Sequence, residues 1–382
     1  MDIFLNERRR RELVKGGFSR RKLGRVVAMM AAGATLPFYN ESAMAQLAAI
    51  RGPIPPDAVR INANENPLGP CPEALEAVHK IARDGGRYLY EMTPELQNLL
   101  AEQEGLKRGY VQPYAGSSAP LHQALLAFCS PSRPFVTADP GYEACEIAAK
   151  FIGAKAFSVP LTATYAHDVK KMAAASPDAG LLYVCNPNNP SGTLTPRSDI
   201  EWLLENKPKG SILLLDEAYI HFTGAPVCSD LVAKDKEVII LRTLSKIYGM
   251  AGLRAGAAFG RPDLLERISG FGRGALPVTG VAAAAASLKS KNLVAERRKI
   301  IGDVRADVLG FLDRHNFSYV PSVSNKFMLD VKRPGQQIVD ALQKEKIYIG
   351  RVWPSWPTHV RVSIGTQEEM NKFKSALLKV MA

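Results

Sequence analysis

Three short stretches of the chain, residues 181–184, 212–215 and 238–241, are apolar at every position. A strand with one wet face alternates apolar and polar side chains. A strand covered by helices on both faces does not, so these runs predict neighbouring strands of a buried, mostly parallel sheet. Around them the apolar positions fall at helical spacing, as Leu75, Val78, Ile81 and Ala82 do within residues 72–83. Thr93-Pro94 predicts the N-cap and first turn of a second helix, which Gly105 closes, and Thr195-Pro196 repeats the opening signal. Residues 270–280, with Gly and Pro, mark a boundary, and one long helical pattern follows from 281 toward 314. Short strands at 326–331 and 360–364 and a last helix from Gln367 complete the pattern. Alternating strands and helices predict an α/β fold: a large domain on a mostly parallel central sheet, and a smaller α/β C-terminal domain. The expected boundaries are 76–275 and 276–382, preceded by an arm over 46–75 whose Pro53, Pro55 and Pro56 keep it extended.

The first 45 residues read differently. Ser19-Arg20-Arg21-Lys22-Leu23 precedes a mildly apolar run over 26–38, and Ala43-Met44-Ala45 follows. A basic segment, a short apolar segment and a small-residue cleavage site, in that order, form an export signal, and the paired arginines resemble a twin-arginine signal. The expected location is therefore outside the cytoplasm, in the periplasm, reached through the twin-arginine export machinery. An uncleaved signal is instead a membrane anchor.

Charge changes the picture only after it is located. The chain of 382 residues carries +12, and nine basic against three acidic residues in positions 1–25 supply half of that excess. Cleavage after Ala45 leaves about +7, an amount that fits a solvated surface or anionic small molecules. No basic stretch is interleaved with aromatic residues, so nucleic acid is not an expected partner. Five cysteines without C-x-x-C spacing are expected to be buried thiols; neither disulfides nor a metal site is expected.

In a parallel sheet, chemistry collects at the carboxyl ends of the strands. The three apolar runs end in N-P-N-N-P-S-G at 186–192, D-E-A-Y at 216–219 and T-L-S-K at 243–246. With N-A-N-E-N-P-L-G at 62–69, G-L-R-A-G at 252–256 and R-V-S-I-G-T at 361–366, these segments resemble the fold-type I pyridoxal-phosphate aminotransferases (class I/II), and within them the histidinol-phosphate aminotransferase group. The resemblance spans residues 60–380.

That resemblance implies transfer of an amino group from an L-amino acid to a 2-oxo acid, with pyridoxal 5′-phosphate held by Lys246 as a Schiff base. Asp216 is implied as the carboxylate that keeps the cofactor ring nitrogen protonated; as bare sequence it is also a helix cap, and Glu217 is its rival. Asn189 and Tyr219 are implied to hydrogen-bond the ring hydroxyl oxygen. Gly116, Ser117, Ser118, Ser245 and Arg254 are implied to hold the phosphate, with Gly252 and Gly256 giving close backbone approach, although Ser118 also suits a plain helix cap. Tyr142 is implied to stack on the ring or else belongs to the core. Tyr88 is implied to reach the cofactor phosphate of a neighbouring subunit, which makes the protein a homodimer. Arg361, with Arg351 and Asn64, is implied to bind substrate.

Two features depart from the pattern. The arm, Arg51 to Pro56, lacks the tyrosine that histidinol-phosphate enzymes use near the substrate phosphate, and Trp353-Pro354-Ser355-Trp356-Pro357 predicts an aromatic or apolar side-chain pocket. The substrate of that group is therefore not carried over. Decarboxylation, racemisation or β-elimination with the same cofactor is the alternative chemistry, and a non-catalytic, membrane-attached binding protein the alternative class.

Overall fold

The computed structural model describes Arg11 and residues 14–19, 54–272 and 274–382. The export-signal residues from Arg20 onward and the arm up to Pro53 lie outside the described residues. Within 14–19, Phe18 is buried, and the Ser132 hydroxyl donates to the Gly16 carbonyl at 2.9 Å.

A seven-stranded sheet forms the main layer. Its strands are β2 (Val111–Tyr114), β3 (Phe135–Asp139), β4 (Ala156–Pro160), β5 (Leu181–Cys185), β6 (Ile212–Asp216), β7 (Val238–Thr243) and β8 (Gly256–Gly260). Their spatial order is β2-β8-β7-β6-β5-β3-β4, and only β8 runs against its neighbours. The three uninterrupted apolar runs are the adjacent strands β5, β6 and β7, buried at every position. Burial on both faces is why they show no alternation.

The described helices are α1 (Pro72–Ala82), α2 (Met92–Gln103), α3 (Ser118–Phe128), α4 (Ala144–Ile152), α5 (Val169–Ala174), α6 (Arg197–Asn206), α7 (Ser229–Ala233), α8 (Pro262–Ser269), α9 (Val278–Lys289), α10 (Leu293–Arg314), α11 (Gly335–Lys344) and α12 (Gln367–Met381). The single pattern expected over 281–314 is two helices: Ser290 leaves the helical region and breaks it before α10. Thr93-Pro94 falls inside α2, whose N-cap is Glu91; the first-turn N–H groups of a helix have no intrahelical acceptor, so a proline there forfeits no bond. At α12 the first turn is closed by a capping box, with Thr366 and Glu369 bonded reciprocally to each other's backbone.

Two smaller sheets complete the molecule. The C-terminal one is β12-β10-β9, from β9 (Ser318–Val320), β10 (Lys326–Asp330) and β12 (His359–Ser363). The other pairs β1 (Val59–Ile61) with β11 (Ile347–Ile349), so the start of the described body joins the C-terminal layer. Helix α9 packs on α1 and α2, beside the large sheet. The residues between β11 and β12 form a strap, in which Trp353 and Trp356 bridge each other.

Candidate active site

Parallel register brings the strand ends together. Cys185 lies opposite Asp216, and Asp216 opposite Leu241, so the polar segments that follow β5, β6 and β7 leave the sheet side by side. A cavity of about 320 Å³ opens there. Ser117, Ser118, Tyr142, Asn189, Asp216, Tyr219, Ser245, Lys246 and Arg254 all line it. Nine residues drawn from six separate segments thus meet in one space.

Lys246 is buried, and its Nζ donates to the Ala63 carbonyl at 3.3 Å. Asp216 sits at the floor. Its carboxylate accepts from the Tyr183 hydroxyl at 2.9 Å and from the Ala218 N–H at 3.0 Å. Burial pushes its pKa up to about 6, against the opposing pull of those two bonds and of the Lys326 and Lys246 ammonium groups. The rival carboxylate, Glu217, faces away. It accepts from Arg242 at 2.8 Å and from the Cys228 N–H at 2.9 Å, and Arg242 also pairs with Glu104. The alternation of a strand end separates two adjacent acids onto opposite sides.

The phosphate-type cradle is built from three segments. Gly116 has φ +90°, and a Cβ there would collide with the Arg254 guanidinium, so only glycine lets the two approach. Ser117 is the N-cap of α3 and Ser118 its first residue, and neither side chain caps the helix. Arg254 donates to the Ser245 hydroxyl at 3.1 Å and to the carbonyls of Ala251 and Ala115. Gly256 is needed for close approach, since a Cβ would lie 2.8 Å from backbone atoms of Arg242 and Gly116. Gly252 is not: nothing lies within 4 Å of its Cβ position, and it lines the cavity as an open turn residue.

Beyond Lys246, one network joins cofactor-type and substrate-type residues. The Asn64 amide donates to the Tyr219 hydroxyl at 3.1 Å and to Asn189 at 3.4 Å, and Arg361 donates to the same Asn189 oxygen at 2.9 Å. Arg361 also bonds the Asn62 carbonyl at 2.6 Å and stacks on Trp353. It is fully buried, so a substrate carboxylate can reach it only when a present contact yields. Arg351 holds Glu143 through two nitrogens, at 3.1 and 2.8 Å. Tyr88 lies away from the cavity of its own chain, 69% exposed and stacked on Tyr90.

The two tryptophans do not line this cavity, contrary to the pocket expected from sequence. Trp353 is buried with Val320 and Met328, and its indole N–H donates to the Gly141 carbonyl at 2.9 Å. Trp356 packs edge-on against Tyr165. Their apolar area is used to hold the strap to the large sheet's loops. The cavity also contains what sequence reading missed: Cys185, Thr243 and Glu65 on its wall, and Tyr183 and Lys326 behind it. Cys185 and Tyr183 were hidden inside an apolar strand, where nothing marks which side chain points to the ligand end. All five cysteines are buried free thiols.

A buried carboxylate, an amine and a hydroxyl-guanidinium cradle within about 320 Å³ match the three polar ends of pyridoxal 5′-phosphate: ring nitrogen, aldehyde and phosphate. Residues 56–377 match the family described as aminotransferase class I and II. A histidinol-phosphate aminotransferase of Symbiobacterium thermophilum is 34% identical over 84% of this chain and 90% of its own length. An aromatic amino acid aminotransferase of Corynebacterium glutamicum (strain ATCC 13032) is 33% identical over 84% of this chain and 92% of its own. The solved histidinol-phosphate aminotransferase of Sinorhizobium meliloti, in complex with pyridoxal-5′-phosphate, superposes with TM-score 0.79 at 27% identity, covering 91% of this chain and 95% of that one. The chain belongs to the class I and II aminotransferases, and it is a pyridoxal-phosphate-dependent aminotransferase.

Proposed function

We propose that the protein transfers the amino group of an α-amino acid with a neutral side chain to a 2-oxo acid, outside the cytoplasm, as a homodimer. The observation that carries the substrate reading is the Arg351–Glu143 pair. A side-chain phosphate approaching Arg351 must displace or face the Glu143 carboxylate, and like-charge repulsion in a nearly buried site disfavours it. The aromatic amino acid aminotransferase among the relatives is consistent with a neutral side chain.

When bound, the cofactor supplies an aldehyde for the amine and a ring that accepts electrons from the substrate Cα. The chain does the rest. Lys246 provides the amine and moves the proton to and from Cα. Asp216 balances the protonated ring nitrogen. Asn189 and Tyr219 orient the ring from the side of its hydroxyl, and Arg254, Ser245 and the first turn of α3 hold the phosphate. Arg361 positions the α-carboxylate, and through the shared Asn189 its occupancy bears on the cofactor.

A spectral screen of amino donors tests this reading. The loaded enzyme should absorb in the visible, aromatic and other neutral amino acids should bleach that band, and Lys246→Ala should lose both band and activity. Preference for histidinol phosphate over neutral amino acids sinks the substrate assignment. For export, N-terminal sequencing of the protein recovered from periplasm should begin at Gln46; a soluble cytoplasmic form that retains Met1 contradicts it.

A further inference from the structure

Lys326 begins β10, the central strand of the C-terminal sheet, opposite Ser363 of β12. It has no solvent exposure. A fully buried ammonium is costly unless polar and charged neighbours compensate it. Here its Nζ lies 3.1 Å from the centroid of the Tyr219 ring and donates to the Ser324 hydroxyl at 3.2 Å. The Lys246 Nζ lies 5.7 Å from the centroid of the same ring. The Tyr219 hydroxyl is meanwhile tied to Asn64. One aromatic ring therefore carries two lysine ammonium groups near it, and only one of them has a role in the chemistry derived above.

We propose that Lys326 is a positioning residue for amino transfer: its buried charge on the Tyr219 ring strengthens the Tyr219 hydroxyl as a donor into the cofactor cavity and makes a second positive charge at Lys246 less favourable. A cation over an aromatic face draws electron density from the ring and so acidifies the phenol attached to it. The same cation repels a proton on the Lys246 nitrogen, whether that nitrogen is a free amine or bound to the cofactor. Both effects have one sign, toward a Lys246 nitrogen that is unprotonated at moderate pH. The other titratable groups that feel Lys326 are Asp216 and Cys185; its positive charge lowers the pKa of each. Part of the pull that opposes burial at the Asp216 carboxylate therefore comes from Lys326. The strand that carries Lys326 belongs to the C-terminal layer, so this contact also couples that layer to the cofactor floor.

The test titrates the colour of the cofactor-loaded enzyme, which reports the proton on its link to Lys246. Lys326→Met keeps the length and removes the charge. Its titration midpoint should rise by about one pH unit, the size expected for one charge at this range in a partly polarisable site. Lys326→Arg should return it toward the wild-type value. An unchanged or lowered midpoint in a folded, loaded Lys326→Met enzyme overturns the proposal. If neither that variant nor Lys326→Gln folds, 15N-lysine NMR on the wild-type holoenzyme decides. Lys326 must be an ammonium across the pH range of the colour change, and a neutral amine there overturns the proposal. The assignment of Lys246 itself is tested separately, by loss of the colour in Lys246→Ala.

Discussion

Asp216, the acid proposed for the cofactor ring nitrogen, sets that role against stability. An unfolded chain ionises this acid near 3.8, whereas the folded protein without cofactor holds the proton to about pH 6. Between those values the folded state binds more protons than the unfolded state, so stability falls as pH rises from about 4 to 6 and is level above. The deficit above pH 6 is on the order of 2–3 kcal/mol. Asp216→Asn should therefore raise the melting temperature of the cofactor-free protein at pH 7–8. It should also weaken cofactor binding by an order of magnitude or more, since the ring nitrogen loses its countercharge. In the wild-type protein, cofactor affinity should decline below pH 6, where the carboxylate takes up its proton. Differential scanning calorimetry with and without cofactor reads both arms, and a cofactor-free mutant that melts lower would contradict the account. Glu217, one residue on, has the opposite fate. The apolar run by itself gave no means to choose between the two acids, because both follow it; the family resemblance favoured Asp216, and the pleat of the strand end separates the two.

At the scale of elements, the catalytic loops are held by what lies behind them. Arg242, in β7, bridges Glu217 after β6 and Glu104 after α2, and also bonds Ser229 at the start of α7. It joins four elements beneath the floor of the cavity. Arg242→Met leaves one buried and one partly buried carboxylate without their cation, a loss of about 3–5 kcal/mol in denaturant unfolding. Arg242→Lys should recover part of it, without the bidentate geometry. The strap between β11 and β12 is a second such device. Ser355 bonds Asp139 at 2.7 Å, Trp353 bonds Gly141, and Arg351 bonds Glu143, so three alternate residues fix it to the end of β3 and the loop after it that also carries Tyr142. The pattern Trp-Pro-Ser-Trp-Pro was conspicuous in sequence and its use was not. A tryptophan pair serves equally well as pocket wall or as packing, and only the location of a partner surface distinguishes them.

For the whole molecule, the exposed Tyr88–Tyr90 stack is the feature least explained by a single chain. Two tyrosines 69% and 72% exposed form apolar surface with polar tips, of the kind that interfaces use. If Tyr88 completes a partner's site, hybrid dimers of a Lys246→Ala subunit with a Tyr88→Phe subunit contain one intact site. They should regain roughly half the activity of wild type, more than either parent dimer. Hybrids no better than the parents would show that Tyr88 serves no partner. Sedimentation gives the stoichiometry independently.

The sequence by itself determined the layers and the segments that meet around Lys246. Buried parallel strands are written as uninterrupted apolar runs, and the groups that follow them have nowhere to go but the carboxyl edge of the sheet. What only tertiary structure decided is which neighbours each group has. Tyr183 beneath Asp216, Lys326 on the Tyr219 ring and Glu143 on Arg351 join residues that are 33, 107 and 208 positions apart. No local pattern encodes a contact at that separation, because it depends on register and on the packing of one layer against another. Those contacts set the charge state of the floor and the polar and charged groups that surround Tyr219 and Arg351.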